Sequence, residues 1–320
     1  MTTPTREIRI ETSTVCNYRC VMCAHPSLTR RREVMSDELF ARIIEMARVE
    51  LPRLELCTVS GFGELAADPR WQHKLALARS VFHRLHLVTN LSLVRDEEVE
   101  TLASLATEVR VSLYAVSEET YQRVHRPPAA CTYQDITERI LRLAQLRGDG
   151  LVVGLTCCEL EQNRDEIPRL IEQWRDVVDY LEVWRPHNWV DGQQYRAIGN
   201  ERIATCGRPA AGPIQVQVDG TVNVCCFDFD GEMLIGDLRN QTFAEILGGP
   251  ELRRIRELHA LGRADELRLC AICDQREPPE HKLAQMVYCS RSPATERVHH
   301  TSSGMELLPD QPARERGDGR

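Results

Sequence analysis

The stretch Cys16-Asn17-Tyr18-Arg19-Cys20-Val21-Met22-Cys23 places three cysteines within eight residues, with the spacing C-x3-C-x2-C. It follows a run over 6–12 in which Ile8 and Ile10 alternate with polar residues, a pattern that predicts a β-strand. Three thiolates leave a tetrahedral zinc ion one ligand short. The same three can hold three irons of a cubane iron–sulfur cluster and leave its fourth iron open to a small molecule. We therefore expect the rest of the chain to be organised around an open iron site.

The composition is that of an ordinary globular protein. The 320 residues are 42% hydrophobic and 28% charged, enough for one large domain or two moderate ones. A net charge of −8 gives no basic footprint for nucleic acid, and no apolar run is long enough for a membrane span, so neither partner is expected. The N-terminus lacks an apolar signal core, which makes a cytoplasmic location the default. The 13 cysteines, an odd number, favour metal or cluster ligation over a disulfide framework.

Strand and helix patterns alternate over the first part of the chain, which predicts an α/β fold. Strands are expected over 6–12, 54–60, 85–89, 108–115, 151–156 and 180–184. Because every strand except the last is followed by a helical pattern, we predict parallel pairing with right-handed crossovers. The result is a partial (β/α)6 barrel over 1–190, open on one side. In such barrels the chemistry lies in the loops after the strands, where the cysteine stretch falls.

The pattern changes after about Trp189. The runs 214–218 and 221–225 alternate around Asp219-Gly220, a strong hairpin signal, and helices are expected over 242–247 and 251–261. We expect a small second domain over 191–285. The polar segment 286–320 lacks periodicity and is expected to be a flexible tail.

This second domain carries its own cysteines, at Cys206, Cys225, Cys270 and Cys273. The last two form a C-x2-C pair, and Cys225 ends a hairpin strand. By spacing alone, the four thiolates are equally suited to a zinc ion or to a fully ligated iron–sulfur cluster.

The three-cysteine motif after a first strand resembles the signature of the radical S-adenosylmethionine (radical SAM) enzymes. Gly61-Phe62-Gly63-Glu64 is similar to the family's segment that contacts the methionine amino group. Ser112 and Arg123 resemble the pair that contacts the cofactor's ribose and carboxylate. Asn90 lies where Thr-Asn-Gly is usual, although Leu91 replaces the glycine here.

The second cysteine set resembles the twitch version of the family's SPASM extension, as found in the aminocyclitol dehydrogenase and aminoglycoside epimerase group. The resemblance covers about residues 6–280. It implies two [4Fe-4S] clusters, one ligated by Cys16, Cys20 and Cys23 and the other by the four later cysteines, together with S-adenosyl-L-methionine. It also implies an external one-electron donor of the flavodoxin or ferredoxin type.

The reaction implied by the resemblance starts with a deoxyadenosyl radical that removes hydrogen from a carbinol carbon. If the substrate radical then loses a proton and passes an electron to the auxiliary cluster, the alcohol of an aminocyclitol or aminoglycoside becomes a ketone. We expect this dehydrogenation, in antibiotic biosynthesis. If a thiol of Cys226, Cys157 or Cys158 returns a hydrogen atom instead, the product is an epimer. For each of these cysteines, a small buried hydrophobe is a commoner explanation than a catalytic thiol.

The cysteine motifs by themselves leave two different classes of protein open. A peptide-modifying enzyme has the same architecture, and a non-catalytic zinc or electron-transfer protein would use the same cysteines. The segment of Glu64 argues against a pure electron carrier, because such a protein needs no open iron and no cofactor loop.

The segment that follows the sixth strand has two interpretations. Arg185 and His187 are candidates to contact substrate hydroxyls or to take the alcohol proton, since histidine titrates near neutral pH. The segment is equally explained as a linker that packs its two tryptophans, Trp184 and Trp189, against the second domain.

Overall fold

A computed structural model describes residues 6–148, 150–189, 194–278 and 281, and the backbone of 283–288, 298–301 and 304–307. No helix within these ranges is long and apolar enough to cross a bilayer.

Six parallel strands and their connecting helices form the partial barrel, which confirms the predicted fold class. The strands are β1 (Glu7–Ile10), β2 (Leu56–Val59), β3 (Arg84–Thr89), β4 (Glu108–Ser112), β5 (Val152–Cys158) and β6 (Tyr180–Trp184). The helices are α1 (Asp37–Glu50), α2 (Trp71–Val81), α3 (Val99–Leu105), α4 (Glu118–His125), α5 (Tyr133–Gln145) and α6 (Ile167–Trp174).

Polar side chains fix where three of these helices begin. Ser36 and Ser117 accept hydrogen bonds from backbone N–H groups in the first turns of α1 and α4. Thr132 and Asp135 form a reciprocal capping box at the start of α5. Each cap satisfies a backbone donor that has no partner within its helix.

The two faces of each barrel strand have different surroundings. Ile8 and Ile10 of β1 are fully buried in the apolar core, which also contains Phe40 of α1. Because successive strand residues point to opposite faces, Glu7 and Arg9 lie on the inner face of the barrel. The interior is therefore polar, whereas the layer between strands and helices is apolar.

The second part of the chain continues the same sheet. It contains α7 (Arg208–Ala211), β7 (Ile214–Val216), β8 (Thr221–Asn223), β9 (Leu234–Asp237), α8 (Phe243–Leu247), α9 (Pro250–Ala260) and α10 (Arg268–Ile272). The expected hairpin is present as β7 and β8, which turn at Gly220 with φ of 87°. The sequence did not predict that β7 pairs in parallel with β1. This pairing satisfies backbone groups that the barrel edge would otherwise leave open.

The opposite edge of the barrel is also covered. β10 (Leu283–Tyr288) pairs antiparallel with β6, which completes a ten-stranded sheet. β11 (Val298–Thr301) and β12 (Gly304–Leu307) pair with each other. Most of the tail expected over 286–320 lies outside the described residues, and its flexibility stays a prediction. The expected domain boundary near 190 also falls on residues outside the description.

Candidate active site

A cavity of about 430 Å³ opens at the C-terminal ends of the barrel strands. Most of the residues singled out from the sequence line it: Cys16, Cys20, Cys23, Gly61, Gly63, Glu64, Asn90, Ser112, Cys157, Cys158, Arg185, His187 and Cys206. An adjoining cavity of about 300 Å³ shares Arg9, Phe62, His187 and Trp189 with the first and is lined by Cys226. The two cavities therefore form one candidate site with two chambers.

Arg123 is not among the residues that line either chamber. Its guanidinium donates to the Gln162 carbonyl at 2.8 Å and to the Thr120 hydroxyl at 3.0 Å, and its side chain is 46% exposed. Its position gives no support to the cofactor role that the resemblance implied. Arg123 lies eleven residues after Ser112 in the sequence, and this spacing does not indicate that α4 turns the Arg123 side chain outward.

The loop that carries the first three cysteines is anchored to the end of α4. The backbone N–H of Val21 donates to the Val124 carbonyl at 2.9 Å, and the Tyr18 and Tyr121 hydroxyls bond to each other. Because these contacts fix the loop at both ends of its central turn, the three thiols are held at the cavity wall.

Hydrogen-bond donors already surround these thiols. The N–H of Tyr18 donates to Cys16 Sγ at 3.4 Å, and the N–H of His25 donates to Cys23 Sγ at 3.4 Å. Burial raises the pKa of Cys16 to about 12, so the thiol is protonated at neutral pH until a metal replaces its proton. These two sulfurs then have donors in place for the charge of a thiolate.

The residues of this loop fit three corners of an iron–sulfur cluster. Burial and the charges of Cys23 and Cys16 all raise the pKa of Cys20, which places the three thiols within electrostatic reach of one another. Within the part of the chain that the structure describes, no group of three His, Cys, Asp or Glu side chains is suited to a single metal ion. In a cluster, the three thiolates bind three different irons.

Glu64 is the candidate ligand for the cofactor's amino group, and the third strand fixes its carboxylate. Thr89 Oγ1 donates to Glu64 Oε1 at 2.5 Å, and the N–H of Asn90 donates to Oε2 at 2.7 Å. Burial raises the pKa of Glu64, although these hydrogen bonds oppose the rise. A cationic amino group beside the carboxylate would offset that desolvation, which is the chemistry that the amino group of S-adenosylmethionine supplies.

Gly63 is required by the close approach of this segment to the cysteine loop. A Cβ at this position would lie 2.2 Å from the Ser13 carbonyl oxygen. The N–H of Glu64 donates to the Val15 carbonyl at 2.8 Å. The glycine therefore allows the carboxylate to be placed directly beside the cysteines.

Leu91 adopts the left-handed conformation that glycine would adopt without strain. Its φ is 63°, its side chain is fully buried, and its N–H donates to Thr89 Oγ1 at 2.8 Å. A left-handed non-glycine residue costs about 1–3 kcal/mol and persists where its surroundings hold it. The substitution noted in the sequence thus retains the turn, which points the Asn90 N–H at Glu64.

Asn90 also contacts the cysteine loop. Its Nδ2 donates to Asn17 Oδ1 at 3.2 Å and lies 3.9 Å from Cys16 Sγ. These contacts indicate that Asn90 positions the cysteine loop. Ser112 ends β4 and lines the same cavity.

His125 is a residue that the sequence reasoning missed. It is fully buried, its Nδ1 lies 3.5 Å from Cys20 Sγ, and the N–H of Tyr114 donates to its Nε2 at 3.0 Å. Because Nε2 accepts, the neutral ring carries its proton on Nδ1 and can donate to the sulfur. Burial lowers the pKa of His125 to about 3. In the sequence, His125 lies within a helical pattern, and nothing in that pattern indicates its contact with Cys20.

Of the four auxiliary cysteines, Cys206 lines the main chamber, and the other three lie outside both chambers. Burial and the charge of Cys206 raise the pKa of Cys270 to about 12, and Cys273 is within electrostatic reach of both. Cys225 and Cys270 pack against the same small apolar cluster, which is formed by Val224, Leu252, Ile255 and Leu267. Backbone N–H groups of Phe227 and Gln275 each donate to one of these sulfurs at 3.4 Å. Four thiols gathered in this way, with backbone donors, fit a fully ligated cluster.

Arg208 was also missed, and it is a partly buried cation beside this set. It lines the main chamber, with its guanidinium 5.2 Å from the Phe227 ring centre. Burial alone would lower its pKa, but the thiols of Cys226, Cys225 and the other auxiliary cysteines outweigh burial and raise it. Arg208 thus balances the negative charge that cysteine thiolates bring to a buried site.

His187 lies between the two chambers, within an aromatic cluster. Its ring centre is 4.9 Å from that of Phe227 and 6.0 Å from that of Trp189. Gln275 Nε2 donates to His187 Nδ1 at 2.9 Å, so the neutral ring carries its proton on Nε2. Arg185 lines the main chamber, and its guanidinium is 3.5 Å from the His281 carbonyl.

A partly buried charge network lines the main chamber inside the barrel. Glu108 accepts from the Tyr180 hydroxyl at 2.6 Å and from Arg110 at 3.0 Å, and His86 lies 3.5 Å away. Burial raises the pKa of Glu108, but His86 and Arg110 outweigh it and lower the pKa to about 2. Alternating polar residues in a strand are typical of a solvated face, and the structure instead places these inside the barrel.

Comparisons with known proteins agree with these features. The family model described as the radical SAM superfamily matches residues 10–173. The model of the SPASM iron–sulfur cluster-binding domain matches residues 206–274. A tungsten-containing aldehyde ferredoxin oxidoreductase cofactor-modifying protein of Pyrococcus furiosus is 28% identical over 100 residues, which are 31% of this chain and 28% of that protein.

Two solved structures illustrate the range of similar folds. BtrN in complex with AdoMet and 2-DOIA is 17% identical with a TM-score of 0.61, covering 85% of this chain and 94% of that one. Streptococcus suis SuiB bound to the precursor peptide SuiA is 12% identical with a TM-score of 0.63, covering 79% and 66%. At these identities the likeness shows the fold. The family matches and the cysteine sets together establish that the chain belongs to the radical SAM superfamily, whose cofactors are S-adenosylmethionine and iron–sulfur clusters and whose reactions need a substrate and an external electron donor.

Proposed function

We propose that this chain is a radical SAM dehydrogenase that oxidises a secondary alcohol of an aminocyclitol or aminoglycoside to a ketone, with the auxiliary cluster as electron acceptor, in antibiotic biosynthesis. The observation that carries the proposal is the shared cavity. Cys16, Cys20 and Cys23 line this cavity, and so does Cys206 of the auxiliary set. A substrate in the cavity would therefore have access to both cysteine sets.

Oxidation of an alcohol to a ketone removes two hydrogens, one as a hydrogen atom and one as a proton, while one electron passes to an acceptor. When bound, the cofactors supply the hydrogen abstraction and accept the electron. The chain's residues would hold the carbinol carbon in position and exclude water. Phe62, Trp184 and Trp189 line the main chamber and give it apolar walls.

The size of the chambers supports a small substrate. The adjoining chamber of about 300 Å³ lies at the lower end of the range for small-molecule sites. A ring with a few hydroxyl and amino groups suits this space. The complex of BtrN with AdoMet and 2-DOIA is a similar fold with a small molecule bound.

His187 supports hydroxyl recognition more than proton abstraction. Because its Nδ1 accepts from Gln275, its Nε2 carries hydrogen and is a donor for a substrate oxygen. Burial lowers the pKa of His187, which favours this neutral form. We assign it the role of orienting the substrate alcohol.

An epimerase of the same substrate class is the second candidate, and Cys226 favours it. This thiol lines the chamber next to the auxiliary set and is within electrostatic reach of Arg9 and His187. A thiol at that wall could return a hydrogen atom to the face opposite the site of abstraction. Cys157 and Cys158 also line the main chamber, but only 0% and 8% of their surfaces are exposed.

Peptide modification is the third candidate, supported by the structural likeness to SuiB with its bound precursor peptide. The small volume of the second chamber favours a compact substrate over an extended chain.

The test is an anaerobic assay of the reconstituted enzyme with a panel of aminocyclitols, followed by mass spectrometry. A dehydrogenase product is lighter by two hydrogens. An epimerase product keeps its mass in ordinary water and gains one deuterium in deuterated water, and Cys226→Ala would then stop turnover or divert it to ketone. Cys57→Ala, a buried core cysteine outside both chambers, is the matched control. Turnover of peptides alone would overturn the proposal.

A further inference from the structure

The hairpin wall of the second chamber contains buried polar atoms that have no hydrogen-bond partner among the described residues. Gln215 Nε2 and Asn223 Oδ1 are both inaccessible to solvent and form no hydrogen bond within the described residues. The residues themselves are only 7% and 3% exposed. Leaving such a group unsatisfied costs roughly 1–3 kcal/mol, so buried amides are ordinarily paired.

The two amides are neighbours by register. Gln215 of β7 is directly opposite Asn223 of β8 in the antiparallel ladder, so their side chains share one face. Both line the second chamber, as do Arg9 and Cys226. The hairpin therefore offers one donor and one acceptor side by side to whatever occupies this chamber.

The orientation of Asn223 is fixed by its other contacts. Its Nδ2 donates to the Asp228 carbonyl at 2.9 Å, which leaves Oδ1 as the free acceptor. Gln217, also on this hairpin, provides a contrast within the same chamber. Its Oε1 accepts from the Thr221 hydroxyl at 2.8 Å, and its Nε2 lies 3.4 Å from the Asp228 carbonyl.

Two further unpartnered groups lie inside the barrel. Arg9 Nε, on β1, and Thr156 Oγ1, on β5, are buried without hydrogen-bond partners among the described residues. Arg9 lines both chambers and Thr156 lines the main one. Since three strands separate β1 from β5 in the sheet, the unpartnered groups approach the cavity from different sides.

This mixture of donors and acceptors selects among ligand classes. A carboxylate or phosphate would be repelled by Asn223 Oδ1. An ammonium group alone would leave Gln215 Nε2 and Arg9 Nε without a partner, although Arg9 Nη2 already pairs with Glu7 at 3.0 Å. A peptide bond offers only one donor and one acceptor, and their fixed arrangement suits this set of groups less well than hydroxyl groups do. Hydroxyl groups both donate and accept, and a polyol ring carries them on every side.

We propose that Gln215, Asn223 and Arg9 form a subsite that binds the hydroxyl groups of a polyhydroxylated ring on the side of the cavity nearest the auxiliary cysteines. This inference rests on the proposed function, to which it adds the residues that recognise the substrate. The subsite would place the ring beside Cys226 and His187, between the two cysteine sets.

The test measures binding and stability in the same reconstituted holoenzyme. The probe is scyllo-inosamine, titrated anaerobically in the presence of S-adenosylmethionine and followed by calorimetry. Gln215→Leu should weaken binding about five- to tenfold, the value of one lost hydrogen bond. It should leave the melting temperature unchanged or raised, because Gln215 Nε2 forms no hydrogen bond with the described part of the chain that the substitution could remove.

Gln217→Leu is the matched control, because it removes a satisfied buried amide from the same hairpin and should lower the melting temperature. If Gln215→Leu binds the probe as tightly as the wild type, or if its melting temperature falls as that of Gln217→Leu does, the subsite is wrong while the proposed function stands. If the wild-type holoenzyme does not bind scyllo-inosamine at millimolar concentration, the substrate class of the proposed function is wrong as well.

Discussion

The two cysteine sets share one cavity but have different surroundings. All three cysteines of the first set line the main chamber, beside the fixed carboxylate of Glu64. Of the auxiliary set, only Cys206 lines that chamber, and the guanidinium of Arg208 accompanies this set. An imidazole lies 3.5 Å from one sulfur of each set, His125 from Cys20 and His259 from Cys270. We propose that the first set admits a ligand and that the second is closed by its own four thiols.

The difference between the sets lies in what surrounds the sulfurs. Backbone N–H groups donate to the sulfur atoms in both places. A buried carboxylate held by hydrogen bonds lies beside each set, Glu64 beside the first and Asp274 beside Cys273 of the second. Only Glu64 of these two lines the main chamber. We therefore infer that Glu64 marks the cofactor site, whereas Arg208 marks the site of accumulated thiolate charge.

The largest effect should come from replacing Cys16, Cys20 and Cys23 together with Ala. Deoxyadenosine formation should fall to background, because no open iron remains, while about half of the iron stays bound by the auxiliary set. Chromatography of the products and iron and sulfide analysis measure these outcomes. Deoxyadenosine formation by the triple variant would refute the assignment of the first set.

Cys225→Ala tests the other side of the comparison. The variant should still cleave S-adenosylmethionine, but ketone formation should fall at least a hundredfold, because the auxiliary set loses one of four ligands. Measuring ketone and deoxyadenosine after a single turnover shows how much ketone is formed for each cofactor molecule that is cleaved. Full ketone formation would show that the auxiliary set does not take part in the oxidation.

Glu108→Gln tests the charge network of the barrel without altering either cysteine set. Above pH 4.5 the variant should be less stable by about 3 kcal/mol, since a partly buried charge network loses one partner. The folded-state pKa of Glu108, about 2, is below its ordinary value of 4.5, so the wild-type advantage is complete above pH 4.5 and shrinks as the pH falls toward 2. Denaturant unfolding across this range measures the difference, and iron content at neutral pH should not change. A difference in stability that stays constant with pH would contradict this account of Glu108.

Thr89→Val has the smallest expected effect and tests whether Glu64 binds the cofactor. The variant removes the hydroxyl that holds the carboxylate, and the affinity for S-adenosylmethionine should fall about tenfold. Thr107→Val is the matched control, since its hydroxyl bonds only to the backbone of Leu85, and it should bind the cofactor normally. Equal affinities for the two variants would argue against Glu64 as the cofactor ligand.

Sequence patterns predicted the barrel and most cavity residues for a simple reason. Local periodicity sets each strand, and parallel strands bring their C-terminal loops to one edge, so residues as distant as Cys16 and Ser112 meet. Contacts that depend on tertiary register were not predictable. The pairing of β7 with β1, the outward turn of Arg123 and the contact of His125 with Cys20 all arise from how elements dock.

The same limit applies to the candidate substrate groups. Polar residues that alternate along a hairpin, such as Gln215 and Asn223, are typical of its solvated side. Only the addition of β7 to the barrel sheet buries them inside a chamber. Their unpartnered atoms become informative once the burial is known.

Electron paramagnetic resonance of the dithionite-reduced enzyme, with and without S-adenosylmethionine, tests the central contrast most directly. In the wild type, the cofactor should shift only the signal that is lost in the Cys16/Cys20/Cys23→Ala variant. The signal that remains in that variant should be the same whether or not the cofactor is present. A cofactor-dependent shift of the remaining signal would mean that the auxiliary set has the open iron, and would contradict the account.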